Sequence, residues 1–438
     1  MKPVGTTGAF VPASSCAGRS ALRTLLTLWL ATISPGLLAQ PTALGTDVDS
    51  LLSYAWQVNP ELAAMRAEAQ AAQERVYPAG ALADPMLTTE LRDITNGGES
   101  SASVLPGRVG SARYIVTQSL PWWGKRALRR DMASASATEA QARASLAWTE
   151  IAMRIKAAHA QRFQVHESIR LTEEVAELLS RLEAVSRSRY SNGLAPQADV
   201  IRAQTERTMV QGELLALRAE AHTVAAQLNA LLARAPDATL ADPQRLSPLP
   251  QDERLRYTNL VERLRDANPE LAVEAARRAG AERNRDLTYR NRYPDFSVSV
   301  APIQMRNRIA DWELMFEVNL PLQLTTRRHQ EREAEAMVEA AGARISAVEQ
   351  RLSGELGARL AALQAARDTE ALITSSLQPQ ARSTLDAALA AYETGRVDFA
   401  TLLEAQRQLR QARLAAVRAQ ADARMRLAEI ERLIGEEL

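Results

Sequence analysis

The sequence is poor in the residues that build most compact enzymes and metal proteins. Its 438 residues include one cysteine, four histidines and only 4% aromatics. The lone Cys16 excludes an intrachain disulfide framework and a cysteine-based metal centre within one chain. His159, His166, His222 and His329 form neither an HExxH nor any paired-ligand motif. His159 and His166 stand seven apart and can share a helix face; they read as solvated positions, and no metal site is expected. An excess of one charge is also lacking. The 53 Lys plus Arg stand against 52 Asp plus Glu, a net charge of +1, which argues against a basic nucleic-acid binder. No nucleophile–base pair or phosphate loop supports an enzyme, and no cofactor is implied.

Long apolar runs are missing as well, with one exception. Residues 1–23 carry Lys2, Arg19 and Arg23 and no acid, and the apolar stretch from Leu22 to Ile33 leads to Ser34-Pro35-Gly36-Leu37-Leu38-Ala39. A basic region, a short apolar region and a small-residue zone describe a secretory signal over residues 1–39. The apolar stretch falls short of the about 20 residues a spanning helix needs. The chain is therefore read as exported, and strands are its only means of crossing a membrane.

What the sequence has in abundance is alanine, 80 residues of it, with Leu, Arg, Glu and Gln. Such a composition favours long helices. The mature chain also repeats itself. Asn59-Pro60-Glu61-Leu62 recurs as Asn268-Pro269-Glu270-Leu271, and Ser119-Leu120-Pro121 is answered by Asn319-Leu320-Pro321. Arg189-Tyr190-Ser191-Asn192-Gly193 is answered by Ala391-Tyr392-Glu393-Thr394-Gly395, and Ala203-Gln204 by Ala405-Gln406. Two tandem units follow, 40–245 and 246–438, each reading helix, strand, strand, long helix, helix.

The strand pairs are expected at about 85–95 and 112–120, then 295–301 and 311–320, with loops near 96–110 and 302–310. In the last strand Trp312, Leu314, Phe316, Val318 and Leu320 alternate with Glu313, Met315, Glu317 and Asn319. Period two with one apolar face marks a two-sided strand. Residues 122–195 contain no proline, so a helix from about 122 to 187 reaches roughly 100 Å. Leu171, Val175, Leu178, Leu182 and Val185 follow heptad spacing, which argues for coiled-coil packing. Gly193 suits the cap ending that helix, and Pro196 the first turn of the next, about 197–235. Further helices are expected at about 48–77, 255–290, 322–393 with a kink at Pro379, and 397–435.

Four strands cannot close a barrel, since the smallest common closed barrels have about eight. Open edges are excluded in hydrocarbon. If these strands enter a bilayer, several chains share one barrel. Glu313 and Glu317 then face the lumen, and Trp312, Leu314, Phe316 and Val318 face lipid. The competing reading is a structural periplasmic coiled coil or adaptor without a channel. An adaptor would carry a β-rich segment between its helices, and the Pro-rich break at 236–250 is too short for one.

From about residue 45 to 436 the chain resembles the TolC-like outer membrane efflux proteins. The resemblance rests on the duplicated strand-strand-long-helix unit and on the strand-to-helix junction Gln118-Ser119-Leu120-Pro121-Trp122-Trp123-Gly124-Lys125-Arg126. It rests also on the tip sequences 190–204 and 392–406. The junction is most similar to the branch that exports heavy metals. The resemblance implies a mostly helical fold with a small β part. It implies a homotrimer in the outer membrane with a twelve-stranded barrel and a long periplasmic tunnel. It implies as partners a periplasmic adaptor (membrane fusion) protein and an inner-membrane efflux pump. It places a periplasmic gate at Asp199, Tyr392, Arg396, Asp398 and Glu404, with adaptor contacts at the turns of Tyr190, Gly193 and Gly395. A hydrogen bond between Asp199 and Tyr392 is the expected gate link. Thr401 departs from the family pattern, because an acidic residue usually stands there beside Glu404.

Overall fold

A computed structural model describes residues 44–95, 98 and 101–438. The expected signal segment, with Cys16, lies outside the described residues. Residues from Ala43 onward form one compact unit, so the two tandem halves share a single body. The helices before the first strands are α1 (Val48–Val58), α2 (Pro60–Glu74) and α3 (Val76–Gly80). Strands β1 (Met86–Arg92) and β2 (Ser111–Leu120) follow, then α4 (Lys125–Ser191) and α5 (Gln197–Leu231). The second half repeats the order. It runs α6 (Tyr257–Ala267), α7 (Pro269–Arg290), β3 (Asp295–Met305), β4 (Arg308–Asn319), α8 (Leu324–Leu372), α9 (Gln378–Glu393) and α10 (Phe399–Ile434).

The repeated Asn-Pro-Glu-Leu is a helix break, where continuous helices 48–77 and 255–290 were expected. A residue before proline is pushed out of the α region, and Asn59 and Asn268 adopt extended backbone there. Each asparagine then caps the new helix. Asn59 Oδ1 accepts from the Leu62 N–H at 3.0 Å, and Asn268 Oδ1 from the Leu271 N–H at 2.9 Å. The other end of each amide donates to the close of a returning helix, Asn59 to the Leu231 carbonyl at 2.8 Å and Asn268 to the Leu433 carbonyl at 2.7 Å. The motif therefore ties the start of each half to its end.

The core repeats with the elements. In the first half Leu51, Ala55, Leu62, Ile151, Ile155, Leu228 and Leu232 pack together. In the second half Leu260, Leu264, Leu271, Leu352, Leu356, Ile430 and Ile434 occupy the matching places.

Two helix expectations change. Val185 is exposed and Leu178 only half-buried; the buried stripe of α4 runs Leu171, Val175, Leu179, Leu182 and Ser186. A straight helix turns once per 3.6 residues and drifts off a strict seven-residue repeat. This stretch of α4 also shares one apolar cluster with both α5 and α10. At Pro379 the helix passes through a π-turn, Ile373–Leu377, in which the Gln378 N–H reaches back to the Ile373 carbonyl. The extra residue in that turn precedes the proline, whose ring otherwise clashes with the preceding turn.

The four strands form one antiparallel sheet in the order β1-β2-β3-β4. The loop expected at 302–310 shrinks to Arg306 and Asn307, because β3 and β4 both run further than their apolar alternation. Arg306 takes a positive φ of 54° there, and a bulge sits at Ile303/Gln304.

Candidate functional site

Two regions concentrate features that packing alone does not require. The first is the sheet. Residues paired across strands share a face, so Leu87, Val116, Val300 and Leu314 form one row and Val298 and Phe316 another. This face is uncovered: Trp312 is 68% exposed and Phe316 70% exposed, with Leu314, Val318 and Leu87 also open. The opposite face is polar. Thr117 and Ser299 share a hydroxyl hydrogen bond at 2.9 Å, Ser297 donates to Glu317 at 3.1 Å, and Arg113 pairs with both Glu90 and Glu313. Glu313 and Glu317 thus lie opposite Trp312, Leu314, Phe316 and Val318, as the alternation of β4 predicts.

A buried contact joins the sheet to α4. Lys125, itself almost fully buried, donates to Asp295 Oδ1 at 2.8 Å and to the Tyr293 carbonyl at 2.9 Å. The Trp122 N–H donates to the same Asp295 oxygen at 2.8 Å, and the Trp122 ring stacks on Tyr293 at 5.1 Å. The 67-residue α4 rises from this joint, spanning about 100 Å at 1.5 Å per residue.

The second region is the far end of the helices, where α4 turns into α5 and α9 into α10. The two turns are built alike. Gly193 and Gly395 take φ of 73° and 71°, a region that glycine enters without strain. The Leu194 N–H bonds the Arg189 carbonyl and the Gly193 N–H that of Tyr190; the Arg396 N–H bonds the Ala391 carbonyl and the Gly395 N–H that of Tyr392. Both are Schellman closures. Pro196 stands at the cap position just before α5 rather than inside its first turn.

The expected gate residues fall into two groups. Asp199 and Tyr392 are each 6% exposed. The Tyr392 ring packs 5.5 Å from Phe399 and lies under the Arg189 guanidinium at 4.9 Å. Asp199 pairs with Arg202 at 3.7 Å. Burial pushes the Asp199 carboxyl up, with Arg202 opposing and Asp398 reinforcing; burial likewise pushes the Tyr392 phenol up. The expected hydrogen bond between them is not made within one chain: the Tyr392 hydroxyl is buried without a partner. The two groups still feel each other electrostatically, and Arg189 acts on both, so they are neighbours without a direct bond.

The second group is exposed. Asp398 caps α10, accepting from the Thr401 N–H at 2.9 Å and the Thr401 hydroxyl at 2.6 Å. Those bonds hold its carboxyl below the usual range. Thr401, the departure from the family pattern, therefore completes the cap. Glu404 is paired on its own helix, accepting from Gln408 at 3.3 Å with Arg407 3.8 Å away. Arg396 and Tyr190 lie open at the turns.

Sequence reasoning missed the links between hairpins. Glu206 of α5, nearly fully buried, takes both ends of the Arg407 guanidinium of α10. Arg407 holds its carboxyl below the ordinary range. Arg410 pairs with Glu213, and Arg413 with Glu174 at 3.5 Å. The spacing of three along α10 was visible in the sequence, while the acids lie about 200 residues away. His159 also departs from expectation. It is 3% exposed rather than solvated, its Nε2 has no partner among the described residues, and burial with Arg162 nearby pushes its pKa down. His166 does reach the surface, 3.7 Å from Asp242. Among the described residues no group of three or more His, Cys, Asp or Glu is arranged to hold a metal, and no helix is long and apolar enough to cross a membrane.

Residues 260–436, nearly the whole second half, match the family described as outer membrane efflux protein. No curated protein matches the chain in sequence. Among solved structures, the outer membrane protein VceC of Vibrio cholerae is similar at a TM-score of 0.73 and 19% identity, covering 89% of this chain and 96% of its own. CusC, described in connection with folding and transmembrane channel formation, is similar at a TM-score of 0.74 and 15% identity, over 91% of this chain and 97% of its own. The MtrE outer membrane channel of Neisseria gonorrhoeae, solved in an open state, is similar at a TM-score of 0.70 and 14% identity, over 89% of both chains. At these identities the likeness is one of fold.

Proposed function

From the match of residues 260–436 to the outer membrane efflux protein family and a fold similar to outer-membrane channels, we propose that this chain is the channel subunit of a tripartite efflux system. It works as a passive export duct in the outer membrane, with a long periplasmic part, a periplasmic adaptor and an inner-membrane pump that supplies the energy. One observation carries the reading. The sheet has two free edges, β1 and β4, and one uncovered apolar face. Free edges cannot stay unpaired in hydrocarbon, where each unsatisfied backbone group costs several kcal/mol. Pairing β4 of one copy with β1 of the next removes every edge, and three copies give a twelve-stranded barrel. The apolar face then meets lipid and the face of Glu313 and Glu317 lines the lumen.

The helical ends form the periplasmic gate on this reading. Asp199 and Tyr392 are its buried pair, Glu404 an acidic lining residue, and Arg396 and Asp398 the charges beside the turn. Tyr190, Gly193 and Gly395 present the turns to the adaptor. A coiled-coil scaffold without a channel leaves the uncovered apolar face unexplained. Membrane fractionation, crosslinking and planar-bilayer recording test the proposal. A trimer in the outer-membrane fraction that conducts ions is expected; a soluble periplasmic monomer refutes it. With the trimer unchanged, Asp199→Ala combined with Tyr392→Phe is expected to raise single-channel conductance. Unchanged conductance removes both from the gate.

A further inference from the structure

The polar face of the sheet holds a charge arrangement that the alternation of β4 does not disclose. Arg113 of β2 lies between Glu90 on β1 and Glu313 on β4. Its guanidinium donates to Glu90 Oε2 at 3.1 Å and pairs with Glu313 through its other terminal nitrogen. Glu90 is the direct cross-strand neighbour of Arg113. Glu313 is two strands away, about 10 Å at the usual strand spacing. The arginine side chain closes that gap by lying across β3. Directly opposite Glu313 on β3 stands Ala301, 1% exposed, and a larger residue there would block the crossing. The arginine side chain is only 11% exposed, whereas Glu313 keeps 43%. Glu90 has a second cation, Arg92, at 2.9 Å. Among the described residues Glu313 makes a direct ion pair with Arg113, with Arg92 acting on it only at longer range. Glu317, four residues along β4, is bonded among the described residues by the Ser297 hydroxyl alone.

We infer that Arg113 is a selectivity-determining residue of the duct. It cancels the charge of Glu313 at the one level of the barrel where β1, β2 and β4 converge on a single guanidinium. The inference rests on the channel reading, in which this face lines the lumen. Without the Arg113 charge, each chain presents Glu313 and Glu317 without a direct cation partner along β4, and the symmetry of the assembly turns them into two acidic rings about 13 Å apart. Their field extends about 8 Å at physiological salt and further in dilute salt, so the effect is read where screening is weak.

The test is the reversal potential of the full chain in planar bilayers across a potassium chloride gradient at low ionic strength. Arg113→Gln is expected to raise the cation-over-anion permeability ratio several-fold, and the rise should shrink at high salt. Arg113→Lys keeps the charge and should stay near wild type. Adding Glu313→Gln to Arg113→Gln should reverse most of the shift. Glu313→Gln alone, which leaves β2 and β3 untouched, should shift selectivity toward anions and covers the case in which Arg113→Gln does not assemble. A conducting wild type with unchanged selectivity in Arg113→Gln, or in Glu313→Gln alone, overturns the inference and leaves the channel standing. A wild type that never conducts overturns the channel reading itself.

Discussion

An arginine scan down the apolar face of β4 tests the barrel most directly. The strand has 12 residues, Arg308–Asn319, slightly more than the about 9–11 a tilted strand needs to cross the hydrocarbon. Its midpoint falls at Glu313 and Leu314. Leu314, Phe316 and Val318 stand on one face at successive depths, all uncovered in the single chain. A lipid-facing arginine costs about 2–4 kcal/mol at the midplane and about 0–1 near the interface. Leu314→Arg should therefore cost most, Phe316→Arg less and Val318→Arg least. Each substitution is present three times in a trimer, so Leu314→Arg removes about 6–12 kcal/mol from the assembled barrel. Glu317→Arg points into water and should cost little. Denaturant unfolding of the chain refolded in lipid vesicles measures these differences. Equal costs at the three depths, or a Glu317→Arg penalty as large as that of Leu314→Arg, would refute the orientation and with it the bilayer assignment.

Other expectations concern the helices. Asn268→Ala removes the cap of α7 and leaves the Leu433 carbonyl without its 2.7 Å donor, so stability should fall by about 2–4 kcal/mol in urea unfolding. Gly395→Ala meets no atom within 4 Å but must hold a φ of 71°, and should cost about 1–2 kcal/mol through strain alone, read as faster amide exchange at the α9–α10 turn. Glu206, whose carboxyl Arg407 depresses, contributes stability that is present above the ordinary carboxylate range and lost as pH falls through its lowered folded value; Glu206→Gln should flatten that acid limb of the melting temperature. His159 is depressed by burial, with Arg162 adding to it. Stability should therefore decline as pH falls below the ordinary histidine range, because the unfolded chain takes up the proton first. Thermal melts of His159→Gln should lose that decline.

The parts legible in the sequence share one property: their cause lies within a short stretch of chain. Alternation in β4 follows from neighbouring residues, and it set Glu313 and Glu317 on the face opposite Trp312, Leu314, Phe316 and Val318. The paired tips were visible because Gly193 and Gly395 end helices by the same local closure. The Asn-Pro-Glu-Leu repeat was also visible, yet its meaning was missed. Helical composition on both sides suggested continuity, while the proline constraint on Asn59 and Asn268 acts on one residue and outweighs it. The short turn at Arg306 and Asn307 was missed for a related reason. Residues 302–310 hold Pro302, two arginines and an asparagine, and cross-strand pairing with β2 and β4 extends the ladder where the local sequence favours a loop.

What stayed hidden depends on the register of one helix or strand against another. Glu206 and Arg407 look like ordinary solvated charges in their own helices, and only the packing of α10 beside α4 and α5 buries the carboxylate and brings the half-exposed arginine onto it. Arg113 is the same case in the sheet, since its partners come from β1 and β4. His159 reads as solvated because α4 is polar around much of its circumference, whereas the segment at Thr46–Asp49 covers that turn. The unmade bond at the tip follows the same logic. Asp199 and Tyr392 occupy matching turns, but matching position within a repeat does not set the distance between the repeats. Asp199 takes Arg202, a neighbour on its own helix. The Tyr392 hydroxyl finds no acceptor among the described residues. Within one chain the two hairpins are therefore joined near the tip by the ion pair of Glu206 and Arg407 rather than by a bond between Asp199 and Tyr392.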